Sequence, residues 1–303
     1  MKSVTILMAT FNGSAFLEDQ LNSIQQQDYK NWKLIISDDG SSDNTIDIIN
    51  EFITKNTNCS VIVLKGPQKG FACNFLNMLR YVETDYACFC DQDDIWMHDK
   101  LSYSISQLSS KMCPSVYTAR TSLIDETGKL IGKSQEFNKP TTFRNALVQS
   151  IAGGNTMMLN AAAIKLINSV FSVDDYPVSH DWWIYILISG SGGEIVYDKC
   201  PKVFYRQHKG NLIGSNNSFA ARAYRIKLLL SGHYKLWNDI NSGLLLKCSH
   251  FLTSENKKIL NDFISARQTT LFKRIYLMKK IGLYRQTWLG GLTLKLSIFL
   301  NKI

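Results

Sequence analysis

The feature that most constrains this chain is an alternation near its start. Four short apolar runs, Val4–Ala9, Trp32–Ser37, Ser60–Leu64 and Tyr86–Cys90, read as strands. Between them lie segments whose apolar residues recur at helical spacing. The first opens at Ser14 with Phe16, Leu17, Leu21 and Ile24. The second is Thr45–Ile53, with Ile46, Ile49 and Ile53 on one stripe, and the third is Phe75–Val82, with Leu76, Leu79 and Val82. Strands alternating with helices predict a parallel sheet with right-handed crossovers. In such a sheet ligands gather at the carboxyl ends of the strands, so the residues after each strand carry the functional information.

All four of those segments are polar, turn-forming or acidic. They are Thr10-Phe11-Asn12-Gly13, Asp38-Asp39-Gly40-Ser41-Ser42-Asp43, Lys65-Gly66-Pro67-Gln68-Lys69-Gly70 and Asp91-Gln92-Asp93-Asp94. The last sets three carboxylates within four residues. Like charges so close raise one another's pKa, and a hard divalent cation relieves them. Mg2+ or Mn2+ takes one or two carboxylates and completes its shell with phosphate oxygens and water. The other reading is a solvated turn that caps a helix starting near Met97. In the second segment, Asp38 can accept a hydrogen bond from a pyrimidine imide, while Ser42 or Asp43 caps the helix at Thr45. No G-x-G-x-x-G follows the first strand and no G-x-x-x-x-G-K-[ST] occurs, so the usual dinucleotide and P-loop sites are excluded.

Composition narrows the class further. With 45% hydrophobic and 19% charged residues among 303, disorder and collagen are ruled out. The longest uncharged stretch, Asn145–Ile164, is interrupted by Gln149, Gly153, Gly154, Asn155 and Asn160, so no spanning helix is expected. Val4–Ala9 is too short for a signal peptide, which points to a cytoplasmic chain, peripheral on the inner face of the cell membrane. Seven cysteines without a C-x-x-C pair read as free thiols rather than a zinc site. Charge is unevenly distributed: residues 1–217 carry 19 basic and 22 acidic side chains, residues 218–303 carry 15 and 3. From Phe219 onward, basic residues mix with apolar ones in R-A-Y-R-I-K-L-L-L, K-R-I-Y-L-M-K-K-I and L-G-G-L-T-L-K-L-S-I-F-L. Such segments bind an anionic membrane surface; the alternative is a helical cap with a solvated basic face. No nucleic-acid partner is expected, because no nucleic-acid-binding motif accompanies the charge.

A more specific likeness comes from motif order. A-T-F-N-G, S-D-D-G-S-S-D-N-T, Q-K-G-F and D-Q-D-D-I-W are followed by Ser179-His180-Asp181-Trp182-Trp183 and Tyr205-Arg206-Gln207-His208. These six motifs, over roughly residues 3 to 214, resemble the family 2 glycosyltransferases of the GT-A fold. Within them they resemble the rhamnosyltransferase-like branch that builds bacterial surface polysaccharides. The resemblance implies an α/β fold, with a Rossmann-like, mostly parallel central sheet flanked by helices and a C-terminal helical appendage. It places a glycosyltransferase domain at residues 1–217, with a nucleotide-sugar half of about 1–100 and an acceptor half of about 101–217. The basic helical region is then 218–303.

By the same resemblance, Thr10, Asn12, Asp38, Asp39, Lys69, Gly70, Asp91 and Gln92 bind the UDP- or dTDP-sugar. Asp93 holds Mn2+ or Mg2+ on the diphosphate, and His208 sits where relatives offer a further metal or diphosphate contact. Asp181 matches the catalytic base. Where many relatives carry Arg after the K-G pair, this chain has Ala72, Cys73 and Asn74.

The residues themselves support part of this. Asp181 precedes an apolar helix, where the macrodipole favours its charged form, whether as a cap or as a base. As a base it would deprotonate an acceptor hydroxyl for direct, inverting attack. Trp182 or Trp183 would stack on a sugar or pack in the core. Gly154 and Asn155 lie in a tight polar turn that would approach the acceptor; the resemblance implies that this acceptor is a polyprenyl-diphosphate-linked glycan. The competing functions are a nucleotidyltransferase making the sugar nucleotide, and a non-catalytic membrane-associated sugar-binding module.

Overall fold

The computed structural model describes residues 2–172, 174–211 and 227–303. The first half follows the alternation: β1 (Val4–Thr10), α1 (Leu17–Gln25), β2 (Trp32–Asp38), α2 (Thr45–Lys55), β3 (Ser60–Lys65), α3 (Phe71–Met78) and β4 (Tyr86–Cys90). Each strand but β4 runs a residue longer than its apolar core. Helix α3 begins four residues earlier than the apolar stripe predicts, because Gly70 adopts φ 84 and turns the chain so that Ala72, Cys73 and Phe75 are already buried.

The remaining elements are β5 (Ile95–Trp96), α4 (Lys100–Leu108), β6 (Ser115–Ala119), β7 (Ser122–Ile124), β8 (Leu130–Lys133), α5 (Phe143–Ala146), β9 (Met158–Asn160), α6 (Ala161–Val170), α7 (His180–Gly190), β10 (Glu194–Asp198) and β11 (Val203–Arg206). Among the described residues, the chain ends in α8 (His233–Lys247), α9 (Ser254–Arg267), α10 (Leu271–Ile281) and α11 (Trp288–Phe299).

Seven strands form the central sheet in the order β10-β6-β9-β4-β1-β2-β3. It is parallel except for β9, which runs antiparallel to both β4 and β6. Four short strands, β5-β11-β7-β8, form a second sheet. Side chains alternate across β1, so the sheet separates two cores. Ile6 and Met8 pack with Leu17, Leu21 and Ile24 of α1 and with Ile49 and Phe52 of α2. Leu7 faces the other way, into a cluster built on α3, α5, α6 and α7.

Helix α7 is buried on almost every side, which explains its continuous apolar sequence. The closing helices share its core through Leu245, Leu260, Phe263, Met278, Ile281 and Leu294. They therefore cap the α/β unit. The expected junction at 217–218, and the R-A-Y-R-I-K-L-L-L segment up to residue 226, lie outside the described residues. Among the described residues, no helix is long and apolar enough to cross a membrane.

Candidate active site

Strands β1, β2 and β4 lie side by side and bring the loops after them to one edge. Thr10 pairs with Asp38 in register. The Asp38 carboxylate turns back into its own loop. Its Oδ1 accepts from Thr10 Oγ1 (2.9 Å) and Ser41 Oγ (2.5 Å), and its Oδ2 from the N–H groups of Gly40 (3.0 Å) and Ser41 (2.8 Å). Asp38 was expected to face a base; these four bonds instead occupy both oxygens in closing the turn. Asp39 Oδ1 accepts from the Gln68 N–H at 2.6 Å and so ties the β2 loop to the β3 loop. The N-cap of α2 is Asn44, not Ser42 or Asp43, and its side chain makes no capping bond; Asp43 accepts instead from the N–H groups of Ser14 and Thr45. Burial pushes its pKa up, but hydrogen bonds from Thr45 and Ser14 outweigh that and hold it at about 2.

The other predicted nucleotide-loop residues form a lattice around these carboxylates. Asn12, at φ 48, accepts the Ser42 N–H on Oδ1 (2.8 Å), and its own N–H donates to Ser41 Oγ (2.9 Å). Gln92 clamps the backbone of Phe11, accepting its N–H at 2.9 Å and donating to its carbonyl at 3.0 Å. Lys69, next to Gly70, leans towards Asp174 and the Tyr176 ring.

The Asp91–Asp94 segment is electrostatically frustrated. Burial, and then the charges of Asp93 and Asp181, push Asp91 up to about 7, with Lys100 offsetting part of the rise. Asp94 is fully buried and raised well above the carboxylate range by burial and by Asp91 and Asp93. It accepts from Asn155 Nδ2 at 2.7 Å and from the Arg206 N–H at 3.2 Å. Asp93 Oδ2 lies 2.8 Å from His208 Nε2. The Gly210 N–H donates to His208 Nδ1 at 3.1 Å, so in the neutral ring Nε2 carries the proton and donates to Asp93.

Arg206 anchors this arrangement. Only 2% exposed, it donates from Nε to the Asp93 carbonyl (3.0 Å), from Nη1 to the Glu126 carbonyl (2.9 Å) and from Nη2 to Asp19 Oδ2 (2.8 Å), with its guanidinium over the Phe16 ring. Lys100 is buried with its ammonium 3.4 Å from the Trp96 ring centroid, and burial lowers its pKa. Tyr205 is pushed above its usual range by burial, then by Asp91, Asp94 and Asp93, so its phenol keeps its proton.

Ser179 caps α7, its hydroxyl accepting from the Trp182 N–H, and Asp181 follows within the first turn. Asp181 Oδ1 also accepts from the Trp182 N–H, at 2.6 Å. His180, beside it, is 4% exposed, and neither ring nitrogen has a hydrogen-bond partner. Phe75, Phe89 and Phe71 surround the ring at centroid distances of 4.4, 4.9 and 5.9 Å. Burial depresses its pKa to about 4.

On the acceptor side the structure places the expected residues as follows. Trp182 and Trp183 are 7% and 3% exposed and both pack in the core, with Trp182 Nε1 donating to the Ala146 carbonyl at 2.7 Å. Asn155 is held by Asp94. Gly154 is pressed onto His180, where a Cβ would lie 2.3 Å from Nε2. The sequence reading assigned no role to Arg206, Lys100, His180 or Tyr205. Nothing local distinguishes a buried charge such as Arg206 from a surface one when its partners lie 80 to 187 positions away.

Among the described residues, no three His, Cys, Asp or Glu side chains stand ready around one metal position. Asp91 and Asp93 offer oxygens of the hard kind that Mg2+ or Mn2+ prefer, and such ions take the rest of their shell from phosphate and water. A cavity of about 590 Å³ between α8 and α9, lined in part by Lys235, Asp239 and Arg267, includes none of these residues.

The model of glycosyl transferase family 2 matches residues 5–165, which span β1 to α6 and all four loops. The chain belongs to glycosyltransferase family 2. It is thus a transferase of sugar groups, and its fold is of the GT-A type. It is 29% identical over 239 residues to the dTDP-rhamnosyl transferase RfbG of Shigella flexneri, covering 75% of this chain and 81% of that one. It is 24% identical over 235 residues to the GalNAc(5)-diNAcBac-PP-undecaprenol beta-1,3-glucosyltransferase of Campylobacter jejuni, covering 75% and 72%. The crystal structure of Staphylococcus aureus TarS 1-349 with UDP-GlcNAc superposes with a TM-score of 0.58 at 15% identity, covering 99% of this chain and 89% of that one.

Proposed function

We propose that this family 2 enzyme is an inverting, metal-dependent hexosyl- or deoxyhexosyltransferase. It moves sugar from a UDP- or dTDP-sugar to a polyprenyl-diphosphate-linked glycan, in O-antigen or capsule-type polysaccharide assembly at the inner face of the cell membrane. One observation carries the reading: the ring of His180, next to Asp181, packs 4.9 Å from Phe89 of β4, the strand that leads into Asp91 and Asp93. That packing supports a site shared by the diphosphate end and the base. The dTDP-sugar and undecaprenol names of the two relatives, and the UDP-sugar in TarS, support the donor and acceptor classes.

Asp93 would hold the cation, with Asp91 turned to the nucleoside and diphosphate. His208 would join only in its other neutral tautomer, with the proton on Nδ1 in place of the Gly210 hydrogen bond and Nε2 free to ligate. When bound, the cation supplies positive charge against the departing diphosphate. Thr10, Ser41 and Asp38 hold the nucleotide loop rigid, so contact with the base imide falls to Asp39. Phe11, 56% exposed on the same loop, offers the base an aromatic face. Tyr205 contributes a neutral hydroxyl beside the carboxylates. Asp181 takes the acceptor proton as the acceptor oxygen attacks the anomeric carbon from the face opposite the diphosphate, which inverts the configuration.

The test is thermal stabilisation by UDP-, dTDP- and GDP-sugars, with and without Mn2+ or a chelator. A UDP- or dTDP-sugar should raise Tm, and chelation should remove most of the rise. Stabilisation by a GDP-sugar alone would overturn the base assignment. Asp181→Asn should keep the donor-induced shift while transfer falls by about 10²–10⁴-fold. Retained transfer in that variant would exclude Asp181 as the base.

A further inference from the structure

Helices α9, α10 and α11 differ in what they turn outward. On α9 the exposed side chains are polar: Ser254, Glu255, Lys257, Lys258, Asn261 and Ser265. On α10 they include Phe272 (85%), Ile275 (41%) and Tyr276 (66%). On α11 they include Trp288 (76%), Leu292 (42%), Leu296 (43%) and Phe299 (56%). At about 100° per residue, that α11 set falls within roughly a quarter of the helix circumference. It is one stripe, opposite the face that buries Leu294 and Ser297.

The charge around this apolar surface identifies what it meets. Residues 263–303 carry eight Lys and Arg and no Asp or Glu. Lys273, Lys279, Lys280 and Lys295 are exposed on these two helices. A second copy would bring the same cationic face, and like charges would oppose pairing. An anionic lipid surface satisfies both parts, taking the apolar stripe among its acyl chains and the lysines at its headgroups. Helix α11 has 12 residues, about 18 Å, against roughly 30 Å of bilayer hydrocarbon, so it can lie in the interface and cannot span it.

We infer that α10 and α11 form an in-plane membrane-insertion face, in which Trp288, Leu292 and Phe299, with Phe272 and Tyr276, enter the lipid. This deepens the proposed membrane location, which by itself asks only for electrostatic attachment. Burial of the stripe is not screened by salt, whereas surface attraction is.

The test is flotation of the full chain with phosphatidylcholine vesicles, with and without about a third phosphatidylglycerol, at low salt and at about 1 M NaCl, where the screening length is near 3 Å. The wild type should float with the anionic vesicles and keep a substantial bound fraction at high salt. The variant Trp288→Ser, Leu292→Ser, Phe299→Ser should lose about tenfold or more of its partitioning. It should keep the wild-type Tm and donor-induced shift, because these positions are exposed. Binding that salt abolishes and that the triple variant retains would overturn insertion and leave electrostatic attachment standing. No flotation under any condition would overturn both. A wild-type dimer that the triple variant converts to a monomer, without flotation of either, would assign the stripe to self-association instead.

Discussion

Gly154→Ala should disable the enzyme without touching a reacting group. The added Cβ would lie 2.3 Å from His180 Nε2 and 2.8 Å from Cε1. Ordinary contact needs about 3.5 Å, so the ring must move by about 1 Å. It has nowhere to go, because Phe71, Phe75 and Phe89 pack around it. The displacement therefore passes to the start of α7, whose next residue is Asp181. Overpacking of this kind costs about 1–3 kcal/mol, which lowers Tm by several degrees in a domain of this size. A base misplaced by about 1 Å costs roughly 10²-fold in turnover. The assay is kcat for transfer from whichever donor stabilises the protein, with Tm measured alongside. Gly153→Ala is the control, since its Cβ meets the end of the Asn155 side chain at 3.0 Å and Thr156 Oγ1 at an ordinary 4.0 Å. Adding His180→Ala to Gly154→Ala removes the obstacle and should restore part of the lost kcat, a coupling that two independent defects would not show. Wild-type kcat in Gly154→Ala, or strict additivity with His180→Ala, would refute the packing argument.

Three further outcomes follow from the same geometry. The unfolded Asp91 carboxyl has lost its proton by about pH 4, while the folded one keeps it to about 7. Its destabilising effect therefore grows between those values and is full above them, so Asp91→Asn should raise the Tm of the metal-free protein at pH 8 and reduce turnover. An unchanged or lower Tm would contradict the frustration described. His180 has the opposite sign: its folded pKa of about 4 lies below the ordinary 6.5, so its stabilising contribution is present above 6.5 and lost as pH falls towards 4. His180→Leu should lose less Tm than the wild type over that range, as followed by calorimetry. Arg206→Met removes a buried guanidinium from two backbone carbonyls and the exposed Asp19 carboxylate, and should cost about 1–3 kcal/mol in denaturant unfolding. It should also weaken the donor-dependent thermal shift, because the carbonyl of Asp93 loses its donor.

The amino-acid sequence by itself determined the order of β1 to β4, their crossovers, and the edge at which their loops meet. Period-two and period-3.6 patterns and turn residues act between near neighbours, so they are legible without any partner. For the same reason the acidic motifs, the polar turn at Gly154 and the helical character of the basic end could be read directly. The tertiary structure alone decided where those side chains point. It turned Asp38 into its own loop, sank Trp182 and Trp183 into the core, and set the antiparallel β9 within a parallel sheet. It also brought Arg206 to Asp19, 187 positions away, and boxed His180 among three phenylalanines beneath Gly154. Burial and charge proximity are properties of the packed whole, and no local pattern encodes them.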